Sequence, residues 1–196
     1  MMTTNKSKID FLKKIENTNL KLPILIDQYA NIEKVINLMT RTLKKNNIFI
    51  CGNGGSASQA EHFSTEFLVR LNKNINRKSL PIIPLSLNNS QITACSNDYS
   101  FEKIFSKSLE AIANPRDCLI VLSTSGKSKN ILDVINKSKK MKIKSIGFFG
   151  KKNKFTKKVD IALYIDSDDT AFIQECHLFL GHFILNEIEK KIFNIK

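Results

Sequence analysis

The sequence has no long apolar run, no closely spaced cysteine pair and little arginine. No apolar stretch approaches the roughly 20 residues that a membrane-spanning helix requires. The segment 1–14 is polar and lacks the apolar centre of a secretory signal peptide. We therefore expect a soluble, cytoplasmic protein without a membrane partner.

The four cysteines are far apart, and none forms a C-x-x-C pair. Three of them fall in apolar stretches, which is typical of buried free thiols in a reducing compartment. This spacing argues against a disulfide framework and against a thiolate metal site. The residues concerned are Cys51, Cys95, Cys118 and Cys176.

The formal net charge is +13, and almost all of the excess is lysine spread along the chain. Nucleic-acid surfaces usually concentrate their charge and use arginine to grip phosphates and bases. Only four arginines are present, so we expect no nucleic-acid partner: Arg41, Arg70, Arg77 and Arg116. A general attraction for small anionic substrates remains compatible with this charge.

Short apolar segments alternate with amphipathic helical stretches through most of the chain. The segments are residues 48–51, 82–87, 118–122, 145–149 and 161–165. This alternation predicts an α/β three-layer sandwich with a five-stranded parallel sheet covered on both faces. Apolar periodicity at three and four residues predicts N-terminal helices before it. We expect one domain, 1–196, in which 1–46 is a helical extension.

Two loops rich in small residues follow predicted strands, where ligands bind in sheets of this kind. The loop 52–56 is glycine-rich, but it matches neither G-x-G-x-x-G nor a Walker loop, so nucleotide binding is not favoured. The loop 123–128 offers four hydroxyls and Lys127 at a helix start, a composition suited to a phosphate. An ordinary strand-to-helix turn and an ordinary helix cap are the alternatives for the two loops.

Two pairs of polar residues lie on predicted helices near these loops. His62 and Glu66 are four apart and share a helix face. Gln174 and His182 lie on a predicted helix 170–193 and are offset by about 80°, close enough to flank one cleft. His177 is turned by about 140° from His182, so we predict that it is a structural residue or supports the ligands from behind, and not that it is a primary ligand.

Four segments in order carry a resemblance: 51–67, 93–106, 123–128 and 170–182. With them the chain resembles the sugar isomerase (SIS) domain and, within it, the sedoheptulose 7-phosphate isomerases, also called phosphoheptose isomerases. The resemblance implies a flavodoxin-like fold and a cytoplasmic homotetramer with active sites at subunit interfaces. It also implies conversion of sedoheptulose 7-phosphate to D-glycero-D-manno-heptose 7-phosphate for heptose-containing surface polysaccharides.

The same resemblance implies roles for individual residues. The implied substrate contacts are Asn53, Gly54, Gly55, Glu66, Asn97, Asp98, Ser123, Thr124, Ser125, Ser128 and Gln174. One zinc per subunit would be held by His62, Glu66, Gln174 and His182. Glu66 and His182 would be the catalytic pair, and a carboxylate with an imidazole suits the proton transfers of an enediol mechanism.

Two departures from the family pattern leave the substrate open. Phe172 stands where family members often have arginine, and Lys127 stands where they often have asparagine. One alternative is an isomerase of another sugar phosphate, such as a pentose or hexose. Another is a noncatalytic SIS regulator that binds a replication initiator; that regulator lacks matches to Glu66 and His182, so an enzyme is favoured.

Overall fold

Five parallel strands form a sheet in the order β2-β1-β3-β4-β5. The structure, a computed structural model, describes residues 3–86, 88–152 and 156–195. The strand order reverses between β1 and β3, which is the point where such sheets bind ligands. The strands are β1 (Ile48–Gly52), β2 (Ile82–Pro84), β3 (Cys118–Ser123), β4 (Lys144–Phe149) and β5 (Ile161–Tyr164).

Helices precede the sheet and connect its strands. They are α1 (Thr3–Lys21), α2 (Tyr29–Leu43), α3 (Gly55–Leu68), α4 (Asn89–Asp98), α5 (Ile104–Ile112), α6 (Lys129–Lys140) and α7 (Thr170–Phe193). Short 3-10 stretches lie at Leu22–Gln28, Phe101–Lys103 and Thr156–Lys158. Within the described ranges, none of these helices combines the length and apolarity needed to cross a bilayer.

The three central strands are buried on both faces, and the sheet divides the core into two apolar layers. In β1, Ile48 and Ile50 pack on the side of α2, α3 and α7. Phe49 and Cys51 point to the opposite side, where α4, α5 and α6 lie. The alternation follows from the two-residue period of a strand. The predicted three-layer α/β sandwich with five parallel strands is confirmed.

The sequence located most elements within a residue or two. The second strand is shorter than the predicted 82–87: it ends at Pro84, the chain bends at Leu85, and the side chain of Asn88 caps α4. The N-terminal part is helical, as expected for 1–46. Residues 1, 2, 87, 153–155 and 196 lie outside the described residues, and the single-domain division stays a prediction.

All four cysteines are free and buried. Burial disfavours a thiolate, so it raises the pKa of Cys51 and Cys118 far above the usual range, and that of Cys176 to about 11. The prediction of buried free thiols is confirmed.

Candidate active site

The glycine loop joins the end of β1 to the start of α3. Gly54 has a φ of 54° and a ψ of −125°, a combination that favours glycine over residues with a side chain. An ideal Cβ on Gly55 would lie 2.7 Å from Nε2 of Gln174. The loop therefore needs glycine at Gly54 for backbone conformation and at Gly55 for the approach of α7.

A reciprocal amide pair connects this loop to the loop after β3. Asn53 donates to Oδ1 of Asn130 at 2.9 Å, and Asn130 donates to Oδ1 of Asn53 at 2.8 Å. Asn130 is buried and also accepts from the backbone N–H of Ile131. The pair fixes the two loops together across the point where the strand order reverses. Sequence reasoning missed Asn130, whose only signal was its place two residues after the serine loop.

The serine loop follows β3 and leads into α6. Ser123 Oγ accepts from the N–H of Gly126 at 3.1 Å, and Ser125 Oγ accepts from the N–H of Lys127 at 3.2 Å. Ser128 is the N-cap of α6, yet its side chain makes no capping hydrogen bond. A pocket of about 50 Å³ opens here, lined by Asn53, Ser56, Leu122, Ser123, Thr124, Ser125 and Ser128. Its lining joins the glycine loop to all four predicted hydroxyls.

His62, Glu66 and His182 come together on the facing sides of α3 and α7. The two Nε2 atoms of His62 and His182 are 2.8 Å apart, and His62 Nε2 lies 3.6 Å from Oε1 of Glu66. One ligand atom from each of the three residues lies within 4.8 Å of the others. The rings of the two histidines meet edge to face. Residues 120 positions apart in the chain thus form one polar cluster.

The cluster favours a neutral His182. Desolvation lowers the pKa of His182 first, and the neighbouring His62 lowers it further, whereas Glu66 acts in the opposite direction. A hydrogen bond between two Nε2 atoms also requires one ring to donate and the other to accept. At neutral pH, His182 is therefore an uncharged imidazole beside a carboxylate.

A glycine on α7 allows the two helices to approach this closely. An ideal Cβ on Gly181 would lie 2.8 Å from Cε2 of Phe63 and nearer still to two other atoms of that ring. Phe63 follows His62, and Gly181 precedes His182. Sequence reasoning missed this pair, because a helical glycine reveals its neighbour only in the folded chain.

Gln174 lies at the other end of the cleft. Its side-chain amide packs against Gly55, and its backbone carbonyl accepts from Nε2 of Gln59 at 2.7 Å. Seven residues of α3 separate Gly55 from His62, a rise of about 10 Å. The structure thus places Gln174 beside the glycine loop, and its role as a metal ligand stays a prediction.

Asn97 and Asp98 are exposed at the end of α4, where the Asn97 amide donates to the Asp98 carboxylate at 2.9 Å. The segment that follows is tied to the serine loop, because Glu102 forms an ion pair of 2.9 Å with Lys129. Lys129 comes directly after Ser128. Glu102, four residues after Asp98, therefore lies beside the start of α6, and the contact of the Asn-Asp pair with substrate stays a prediction.

His177 has the structural role predicted for it. It is buried, stacks edge to face on Phe148, and its Nε2–H donates to the carbonyl of Phe149 at 3.1 Å. Burial lowers its pKa to about 4. His177 is therefore neutral and fixes α7 to the end of β4.

The two departures from the family pattern lie in different surroundings. Phe172 is buried in the apolar layer shared by α2, α3 and α7. Lys127 is exposed and borders a cleft of about 300 Å³ that Thr124 and Ser125 also line. Only Lys127 therefore adds a charge at the edge of the serine loop.

The sequence model of a family described as the SIS domain matches residues 11–150. Phosphoheptose isomerase of Clostridium acetobutylicum is 38% identical over 192 residues, covering 97% of this chain and 94% of that protein. Phosphoheptose isomerase 1 of Campylobacter jejuni is 43% identical over 163 residues, with coverages of 82% and 87%. The chain belongs to the phosphoheptose isomerases of the SIS-domain family.

Solved structures agree with this membership. A phosphoheptose isomerase from Francisella tularensis superposes with a TM-score of 0.82 at 30% identity, over 97% of this chain and 100% of that one. One from Neisseria gonorrhoeae gives a TM-score of 0.82 at 28% identity, with coverages of 96% and 99%. The family resemblance drawn from the four sequence segments is confirmed, and so is the classification of the chain as an isomerase.

Proposed function

We propose that this enzyme converts sedoheptulose 7-phosphate to D-glycero-D-manno-heptose 7-phosphate. The observation that carries the proposal is the cluster of His62, Glu66 and His182, a carboxylate and two imidazoles placed where two helices meet. The names of the relatives at 38% and 43% identity support the substrate class. The product would supply heptose for surface polysaccharides.

The chemistry is a proton transfer between adjacent carbons. Glu66 takes a proton from C1 of the ketose while the N–H of His182 donates to the oxygen on C2, which gives an enediol. His182 then takes the proton from the oxygen on C1, and Glu66 returns its proton to C2. A neutral imidazole suits the oxygens, because after it donates its proton to the oxygen on C2 the resulting imidazolate can take the proton from the oxygen on C1.

The phosphate would bind at the serine loop. Ser123, Thr124, Ser125 and Ser128 line a pocket at the start of α6, where the positive end of the helix favours an anion. Asn53, Gly54, Gly55 and Gln174 border the path between the two ends. We assign Asn97 and Asp98, whose polar groups are exposed, to the sugar hydroxyls.

We further propose one zinc ion per subunit. Two imidazoles and one carboxylate form a known catalytic zinc set that leaves a position for water or substrate. Tetrahedral zinc holds its ligand atoms about 3.3 Å apart, and the observed separations of 2.8 Å and 3.6 Å lie on either side of that value. His62, Glu66 and His182 would hold the ion. Gln174, the further ligand implied by the resemblance, packs against Gly55 and would fill the remaining position only if its side chain turned toward the cluster. When bound, zinc would polarise the substrate carbonyl.

We propose a cytoplasmic homotetramer with active sites at its interfaces. In the single chain the side chain of His62 is 42% exposed, and Phe179, one turn before His182, is 55% exposed. Further large apolar side chains are exposed on α1: Ile9, Phe11, Leu12 and Ile15. Partner subunits would cover these groups and exclude water from the cleft. The buried free cysteines accord with a reducing compartment.

The test compares substrates. The purified protein is incubated with sedoheptulose 7-phosphate and, separately, with a pentulose and a hexulose phosphate, and aldose formation is followed by NMR. We expect turnover of the heptulose at a kcat/KM at least tenfold above the others. A higher kcat/KM for the pentulose or hexulose phosphate would mean that the same chemistry acts on another substrate. Absence of turnover with all three, with and without zinc, would favour a noncatalytic regulator.

A further inference from the structure

We propose that Arg77 is a positioning residue for Glu66. It connects the last turn of α3, which carries Glu66, to the face of α7 that carries His182, through a buried ion pair with Glu189. This inference rests on the proposed function, which assigns proton transfer to Glu66 and His182.

Arg77 lies in the connection between α3 and β2, and its side chain is fully buried. Its Nε donates to Oε1 of Glu189, whose side chain is also fully buried. The guanidinium lies over the rings of Phe67 and Phe193, at 5.5 Å and 5.7 Å from their centroids. A charged group in such surroundings is held by several contacts at once.

The other donors of Arg77 bind the backbone of α3. Nη2 donates to the carbonyl of Glu66 at 2.9 Å, and Nη1 donates to the carbonyl of Phe67 at 3.0 Å. Carbonyls in the last turn of a helix lack partners within the helix, and the negative end of the helix attracts a cation. Arg77 therefore fixes the backbone of the proposed base itself.

Glu189 extends this connection to His182, the proposed catalytic acid. Glu189 follows His182 by seven residues, which returns it to within about 20° of the same helix face. The contacts run from the Glu66 carbonyl through Arg77 to Glu189. Together with the His62–His182 contact, they hold α3 and α7 together at two points on either side of Glu66.

Stability alone gives little reason for an ion pair here. Replacing a buried pair by apolar residues of similar size is often neutral or stabilising. Apolar residues, however, cannot donate to the Glu66 and Phe67 carbonyls. A variant that keeps the packing and loses the donors separates the positioning role from a packing role.

The double variant Arg77→Met/Glu189→Leu is compared with the wild-type protein. We expect kcat for sedoheptulose 7-phosphate to fall at least tenfold, with KM within threefold because the serine loop is untouched. The affinity of the metal-free protein for zinc, measured by calorimetry, should fall at least tenfold as Glu66 and His182 move apart. Arg77→Lys keeps the positive charge but loses the planar, forked set of N–H donors. Its kcat should lie between those of the double variant and the wild type.

The control is Asp117→Asn, the residue before the central strand β3, at the amino end of that strand and away from the serine loop at its carboxyl end. Asp117 is buried and accepts from the N–H groups of Asn47 and Asn114, so its loss should lower the Tm while kcat stays within twofold. A folded double variant with wild-type kcat and zinc affinity would overturn the inference. If the double variant does not fold, a wild-type kcat in Arg77→Lys would overturn the inference.

The wild-type arm reports separately on the proposed function. A wild-type protein that binds zinc without turning over the heptulose phosphate contradicts the proposed reaction, and the ratio of zinc affinities then decides the role of Arg77. A wild-type protein with neither property refutes both.

Discussion

The contact between Gly181 and Phe63 predicts that one added methyl group will disturb the active site. In Gly181→Ala the new Cβ would lie 2.8 Å from Cε2 of Phe63 and closer to the end of the ring, so the ring or the helix must move. Phe63 is only 3% exposed, so the ring has little free space. The His62–His182 contact beside it will therefore lengthen.

The magnitudes follow from two opposing effects. Overpacking a core costs about 1–3 kcal/mol, and alanine is favoured over glycine in a helix by about 1 kcal/mol. The net loss of stability is thus about 0–2 kcal/mol, a decrease in Tm of up to about 8 °C for a chain of this length. A displacement of about 1 Å at reacting groups lowers the rate by up to about 100-fold. We expect kcat to fall between tenfold and 100-fold.

The assay measures kcat and Tm for Gly181→Ala and for the double variant Phe63→Leu/Gly181→Ala. The smaller leucine makes room for the methyl group, so the double variant should recover at least part of the lost kcat, a coupling that a double-mutant cycle quantifies. Wild-type kcat in Gly181→Ala would refute the reasoning, because it would show that close approach of the helices does not set the geometry of the histidines.

Three further predictions concern the loops and the buried histidine. Ser125→Ala should raise KM for the phosphorylated substrate roughly tenfold with little change in kcat, and an unchanged KM would make the loop a helix cap only. In Gly150→Ala the new Cβ would overlap the carbonyl oxygen of Thr124 and lie 3.1 Å from Ile173 Cδ1, so the displaced serine loop should raise KM further than Ser125→Ala does. His177 has a pKa of about 4 when folded, below its ordinary 6.5, so the unfolded chain binds a proton first as the pH falls. Its contribution to stability is therefore full above pH 6.5 and decreases by about 3 kcal/mol towards pH 4. Urea titrations should show this slope in the wild type and a smaller one in His177→Gln.

The fold could be predicted because its signals are local. Five apolar segments separated by amphipathic stretches can bury both of their faces as a parallel sheet between helices. All five segments form strands. The two loops rich in small residues directly follow predicted strands, so the sequence also placed them at the carboxyl ends of those strands. The short second strand was less predictable, since the capping of α4 by Asn88 decides where it ends.

The candidate site was only partly predictable. Helical spacing places His62 and Glu66 on one face, but the distance from His62 to His182 depends on how α3 and α7 pack. Asn130, Gly181 and Arg77 act through contacts with residues distant in the chain. No pattern in the sequence marks such contacts, so the structure alone reveals them.

The central claim is that Glu66 moves the proton between C1 and C2, and solvent exchange tests it most directly. The enzyme is incubated with sedoheptulose 7-phosphate in D2O, and deuterium in the substrate and product is followed by NMR for the wild type and Glu66→Gln. We expect the wild type to isomerise and to incorporate deuterium only at C1 and C2, to the extent that the proton on Glu66 exchanges with solvent, whereas the folded variant neither exchanges nor isomerises. Exchange or turnover at the wild-type rate in Glu66→Gln would contradict the claim.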